Sequence, residues 1–600
     1  MKSNSFILKI FLLLGFILLY LQINCKSKDC NSAQTIIDKV PFIEKAIDCQ
    51  KEDNSLLLGL IAIGSRSSTA SISTAATCPV SGSLSNPSPV NGSSITLTGA
   101  QCTNSAIQST ITNGGNITLN CSGTISISSE LTVPSNGTVF ITGVNGSGTN
   151  GKVILDGGGI SRIIYGNSSS KIIVKNLQFQ NGKSKETADS TGALNKNAGG
   201  ALFNGYKGEM TVIDCDFLNN VGGTNASGNK EEGGGAIYTK SFGKLTIVNS
   251  YFSGNTGGLG GAINNLLSKL TIIDSNFTSN SSLVDNYSAG GYGGAIYTDG
   301  AGLGGVNGAN NQASLNPPSG LGNITICRTV FSNNTGKGQG GGTFLYGYAP
   351  DVITLDRIVY DKNSVIKNGA GDALGGGLRS GNADTYISNS SFTDNVALSQ
   401  GGGFWKGESS LLSISNSTFV NNYAVETGST TAASLSNRNN TGGICGAINN
   451  AGSSSFDMTN LTIVNNHAGF MSGAICGSSN SASKSIIAYN TAYNNGNSWK
   501  KGQNCAGNQI VNKGSNFEFP NKNTTDSTSD NITCFNSTIQ DPLYQSSSNL
   551  TYTNSVVSPI PLATVNDCST QVGSSGRTIA IKNIALQSGS PATGSGASCP

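Results

Sequence analysis

Histidine is all but missing from this 600-residue chain, which carries one, His467; tryptophan occurs twice, and only 11% of residues are charged. A single histidine argues against a multi-histidine metal centre and leaves any nucleophilic triad dependent on one position. Thirty-five Lys and Arg against 32 Asp and Glu give a formal charge of +3. No basic patch or acidic run therefore points to nucleic acid as a partner. None of the 14 cysteines forms a CxxC pair of the zinc type. Glu, Lys and Ala do not dominate, which disfavours a helical solenoid. What is abundant is Gly, with 80 residues, together with Asn, Ser and Thr, and the hydrophobic fraction of 36% is too high for disorder.

Long apolar runs are confined to the first residues. Lys2 and Lys9 flank a stretch ending "FILLYLQIN" before Cys25, which reads as a signal peptide over residues 1–24. "LQINC" resembles a relaxed bacterial lipobox, with Asn where Ala or Gly is usual, and implies lipidation of Cys25 as a membrane anchor. The alternatives are an ordinary signal peptide with a coincidental cysteine, or a secreted, N-glycosylated eukaryotic protein. The many Asn-x-Ser/Thr sequons, such as those at Asn116 and Asn389, follow from composition. Export makes the cysteines candidates for disulfides, with Cys30 and Cys49 one possible pair. Lipidation of Cys25 leaves thirteen, so at least one thiol is expected to be free. "LLLGLIAIGS" (56–65) is too short to span a bilayer. The Ser/Thr/Pro-rich residues that follow make 25–94 a lipid-anchored segment with a flexible stalk.

From Ile95 onward, short runs alternate polar and apolar residues and close on Gly or Asn, the pattern of strands. Then a sentence repeats. "GGAIYTKSFGKLTIVNSYFSGN" is followed by "GGAINNLLSKLTIIDSNFTSN". Phe217, Phe252, Phe277, Phe331, Phe392 and Phe419 each stand three residues before an Asn. The step from the Gly-Gly motif to Phe is constant: Ala236 to Phe252 and Gly403 to Phe419 are 16, Ala262 to Phe277 and Gly377 to Phe392 are 15. The step from Phe to the next Gly-Gly varies. One arc of fixed length and one that tolerates insertion describe the coil of a solenoid. At roughly 25 residues it is too short for a propeller blade and suits one turn of a parallel β-helix. The fold expected is all-β: a parallel β-helix over 95–490, with irregular coils and a cap over 491–600. Gly turns the corners, Ala and Ile fill the interior, Phe stacks in a column, and Asn forms a ladder at a corner.

The GGAI…LTI.NS.F..N repeat resembles that of polymorphic outer membrane proteins, which implies a right-handed parallel β-helix on a bacterial surface. The resemblance covers about residues 170–480 in eight or so imperfect copies. Members of that family end in an autotransporter barrel. This chain ends "GASCP" without aromatic-girdled strands, so the lipid anchor takes the barrel's place.

Enzymes on β-helices need clustered carboxylates and a basic residue. Asp214 and Asp216 in "IDCDF" fail that test, because Asp214 shares a repeat column with Asn249, Asp274, Asn389 and Asn416. "PDVITLDRIVYDK" breaks the repeat and offers Asp351, Asp356, Arg357 and Asp361, with Arg379 a coil later. Carboxylates five apart do not share one strand face, so these are weak catalytic candidates. His467 follows "IVNN" at a repeat corner and reads as structural. No metal or cofactor is implied. The expectation is a non-enzymatic outer-membrane or surface lipoprotein that binds host matrix proteins, cells or glycans. The alternative is a polysaccharide lyase or glycoside hydrolase on an acidic glycan. Function is expected where the repeat is interrupted, at 298–322 and 351–379.

Overall fold

The computed structural model describes residues 75–79, 84–185, 197–223, 233–282, 291–299, 320–426, 442–477, 480–492, 504–507, 510–519 and 594–598, with short pieces at 187–188, 194–195, 534–535, 566–571, 578–583 and 590. Cys25, Cys30, Cys49 and the bulk of the 298–322 insertion lie outside the described residues. So does the signal segment.

The coils build three parallel sheets, the third of which begins only at Val221–Gly222. The second sheet holds one strand per coil and shows their number: 12 strands, from Leu131–Val133 to Cys505–Gly507. Eleven steps at about 4.8 Å make a stack of roughly 53 Å. The long sheet of 25 strands receives two limbs per coil, such as Glu209–Ile213 and Asp216–Leu218, and a third sheet of nine strands closes the section. This is the parallel β-helix the spacing predicts. It runs further than expected: Cys505–Gly507 pairs with Ile475–Gly477, and Phe517–Phe519 with Ile486–Ala488. The stack therefore passes residue 490 and reaches Phe519, because a coil without the GGAI letters still satisfies the ladder above it.

The repeated letters have the expected roles. Between the two limbs the chain bends through left-handed backbone at Asp214 (φ 51°), Asn249 (47°), Asp274 (53°), Asn389 (51°) and Asn416 (44°), a region short polar side chains tolerate. Gly234 is obligatory at its corner, since a Cβ there would stand 2.2 Å from the Ile237 carbonyl oxygen. Inside, rings stack from Phe179 through Phe217, Phe252, Phe277, Phe331, Tyr360 and Phe392 to Phe419, with centroids 4.4–5.0 Å apart. Beside them runs an asparagine ladder. Asn220, Asn255, Asn280, Asn334, Asn363, Asn395, Asn422, Asn466 and Asn490 each donate from Nδ2 to the next Oδ1 at 2.9–3.1 Å, and Asn504 accepts the last of these bonds. Asn334 also donates to the Phe277 carbonyl, and its Oδ1 accepts the Asn280 amide N–H. The ladder thus satisfies backbone groups that the turn leaves unpaired.

Both ends are closed by elements the repeat does not announce. Helix α1 (Asn104–Asn113) is capped by Thr103 and buries Ile107 and Ile111 against the first coils, beside the Cys102–Cys121 disulfide. At the other end Glu518 turns into the interior, in register with Ile487. Its carboxylate accepts the amides of Cys534 and Phe535 at 3.0 and 3.2 Å, and burial pushes its pKa up to about 7. Cys534 is bonded to Cys505. No helix among the described residues is long and apolar enough to cross a membrane.

The described part of the segment read as a flexible stalk is instead tied along the long sheet. The outward column Asn116, Phe140, Ile173, Thr211, Thr246, Thr271, Thr325, Thr354 is continuous in register. Ala76 donates its amide to Thr354 Oγ1, and Val90 exchanges two bonds with the Asn116 side chain. Between them Cys78 is bonded to Cys327, Arg328 holds the Pro79 carbonyl, and Lys175 holds the Ser85 carbonyl. Composition gave no sign of this strap, because what fixes it is a disulfide and donors from the sheet. At the far end, 594–598 folds back in a similar way, with Gly596, Ala597 and Ser598 bonded to Lys484, Thr462 and Asn416.

Replacing Asn334 with Ala strands the Asn280 amide and the Phe277 carbonyl inside the coil. A loss of about 2–4 kcal/mol is expected, from buried groups left unpaired. It should appear as lower thermal stability and as faster amide exchange confined to the coils on either side.

Candidate functional site

The sequence candidates do not assemble. Asp351 accepts the amides of Gly320 and Gly322 at 2.8 and 3.0 Å, fastening a loop; burial raises its pKa, and those bonds oppose the rise. Asp356 lies on the long sheet, with Oδ1 accepting Ser388 Oγ and Asn389 Nδ2, both at 2.7 Å, and Oδ2 paired with Arg357. Asp361 accepts from Thr393 at 2.6 Å. Arg379 belongs to the second sheet, in register with Phe344 and Trp405. Its guanidinium is sandwiched among Phe344, Tyr346 and Trp405 at 4.6–5.1 Å and pairs with Glu408 at 2.6 Å. Asp356 and Arg379, the pair on which an acid–base reading rests, therefore stand on different sheets. Each is engaged with its own neighbours.

The other titratable candidates lie at repeat positions of the stack. Asp214 accepts from Asn249 within its corner column. Asp216 is buried and pairs with Lys152 at 3.4 Å. Cys215 is a free thiol among the described residues, fully buried, and burial pushes its pKa up to about 12. It is therefore inert as a nucleophile. His467 sits in the third sheet between Tyr423 and Thr491, and burial lowers its pKa to about 4. No group of three or more His, Cys, Asp or Glu that could hold a metal occurs among the described residues.

The concave polar surface lies elsewhere, along the strap. Strands Lys171–Lys175, Glu209–Ile213, Lys244–Val248 and Lys269–Ile273 each begin on an exposed charged residue. Side chains alternate across a strand, so this first position and the third both point outward. Register then stacks Lys171, Glu209, Lys244 and Lys269 in one row. Ile173, Thr211 and Thr246 form the next row. Opposite them stand Leu84 and Pro87 to Asn91 of the strap, enclosing a groove of about 620 Å³ open to solvent. A second hollow of about 440 Å³ lies by Lys152, Lys175 and Asp214, and a third of about 180 Å³ by Asp356, Tyr386 and Ala76.

The main groove has one rigid wall, since two prolines stiffen the strap, and one wall whose charges repeat at about 4.8 Å. Sequence reasoning missed it. Its signal was the charged residue before each hydrophobic triplet, in "SKIIV", "GEMTV", "GKLTI" and "SKLTI". The opposite wall is brought in from sequence 80 to 162 residues away, which no local pattern shows.

No protein-family model, curated protein or solved structure matches this chain.

The burial of His467 makes stability depend on pH. A histidine held neutral well below its ordinary 6.5 leaves the unfolded chain to take the proton first. Stability is therefore present above pH 6.5 and falls as pH drops toward 4, by about 3 kcal/mol at most. Denaturation of the wild type and of His467→Thr at pH 7 and pH 4.5 should show a shallower acid loss in the variant. Equal slopes would assign the acid loss to other groups.

Proposed function

We propose that the protein is an exported bacterial surface lipoprotein, held by a lipidated Cys25, whose β-helix displays a binding groove for an anionic glycan of host cells or matrix. The action is adhesion rather than turnover. The observation that supports this reading is the groove itself: Lys171, Glu209 and Lys244 line it against Pro87 and Pro89, and Lys269 extends the row. Three lysines outnumber one glutamate. A linear polymer lying along the stack meets them at a step of about 4.8 Å. Hydroxyl-rich Thr211 and Thr246 supply further donors and acceptors between the charges.

Binding of sulfated and uronic-acid oligosaccharides to the purified chain tests the reading. Lys171→Glu with Lys244→Glu should weaken binding at least tenfold, and wild-type affinity should fall with added salt, as expected for solvent-exposed charges. Binding that ignores both changes sinks the groove as the site. Release of unsaturated uronides would instead favour the lyase reading. The anchor is tested separately by mass spectrometry of the mature N-terminus, where a diacyl or triacyl Cys25 is expected and a free N-terminus elsewhere removes it.

A further inference from the structure

The strap connects to the stack in an unequal way. Most of its fastenings are single hydrogen bonds: Ala76 to Thr354 at 2.9 Å, Pro79 to Arg328 at 3.1 Å, Ser85 to Lys175 at 2.9 Å. One fastening is covalent, the Cys78–Cys327 disulfide, which joins residues 249 apart in sequence. Cys327 is fully buried in Ile324–Ser332, a strand of nine residues paired along its length with Val352–Asp361, which has ten. These are the two longest strands among the described residues. The covalent link therefore enters the sheet where its ladder is most continuous. It stands in the interior of the stack, several coils from Ser94–Thr98, where the chain enters its first strand.

A solenoid is weakest at its ends, because a terminal coil has one neighbour and an inner coil has two. Tension arriving from the N-terminal side would, without the disulfide, reach the first strand and peel coils in order. With the disulfide it leaves the strap at Cys78 and enters at Cys327. The strap beyond Cys78 and the coils before Cys327 are then closed into a covalent loop that an end-to-end pull cannot extend.

We infer that the Cys78–Cys327 disulfide is a mechanical junction that moves the point of attachment of this β-helix from its end to its interior. This rests on the tethered reading given above and goes beyond it. A ligand held in the Lys171–Lys244 groove is then coupled to the tether through the few coils between Thr246 and Cys327, and the terminal coil is left out of the path. The junction is built to stay closed: a thiolate attacking the more accessible sulfur, that of Cys78, must expel the Cys327 thiolate into a fully buried site.

Single-molecule pulling on the purified full chain, held at its two ends, tests the junction. Wild-type protein should unfold with about 83 nm less extension than Cys78→Ser: of the 249 residues in the loop, the 19 spanned by Cys102–Cys121 stay closed in the variant, which leaves 230 at about 3.6 Å each. The variant should show added low-force steps from the released coils. The Cys445–Cys476 and Cys505–Cys534 bonds are common to both chains and cancel in the difference. Should the variant fail to fold, wild-type protein folded oxidised and then reduced by a phosphine, with thiols counted by mass spectrometry, takes its place; reduction also opens the loops of 31 and 29 residues, so the reduced chain should gain about 110 nm, from 309 residues at about 3.6 Å each. Equal extension in both states, or a wild type whose first coils unravel before any others, would overturn the junction. Neither readout depends on the lipid, so loss of the anchor by mass spectrometry and loss of the junction by pulling are separate failures.

Discussion

Every feature of this molecule depends on one constraint: strands of successive coils hydrogen-bond in parallel and in register, so that like residues stand about 4.8 Å apart. An amide side chain placed at that spacing can donate to its copy above and still serve the backbone beside it. The ladder from Asn220 to Asn504 does this across ten coils. The same spacing allows ring-on-ring contact from Phe179 to Phe419. Like charges in such a column repel at each step; Glu209 separates Lys171 from Lys244, while Lys244 and Lys269 stand adjacent on the exposed edge.

The stack also decides what an odd residue can do. Tyr360 takes a Phe position and turns its hydroxyl to Thr343 at 2.7 Å. Arg379 takes an aromatic position on the second sheet and becomes a cationic rung between Phe344 and Trp405. Lys406, buried one position on, bonds to the Gly407 carbonyl, and burial lowers its pKa to about 8. None of these departures opens a cleft, because the rungs above and below fill the space that a substitution leaves. The main groove arises where a segment from outside the stack lies across it.

That is why the groove and the junction belong to the strap. Residues 84–91 supply the wall that a flat sheet lacks, and Cys78 fixes the strap's line of approach. Groove and covalent link are thus two consequences of a single crossing, on the same outward face of the long sheet.

The amino-acid sequence alone determined the coil. The constant step from Gly-Gly to Phe, the Asn three residues later and the αL-tolerant Asn and Asp column are local periodicities, and periodicity is what a solenoid reads out. It also placed Asp214 and His467 at repeat positions, but its strand alternation missed the left-handed bend at Arg357 (φ 55°), which leaves Asp356 and Asp361 both facing outward while Ile353, Leu355, Ile358 and Tyr360 fill the core. It overestimated the interruption at 351–379, whose Asp351, Asp356 and Arg379 prove to be fastenings rather than one site. Tertiary structure alone decided the strap, helix α1 at one end, Glu518 at the other, and the pairing of Cys78 with Cys327. These join residues from unlike parts of the chain, with no repeat to announce them. Their partners are set by where the stack brings a donor or a sulfur to the surface, which no single coil encodes.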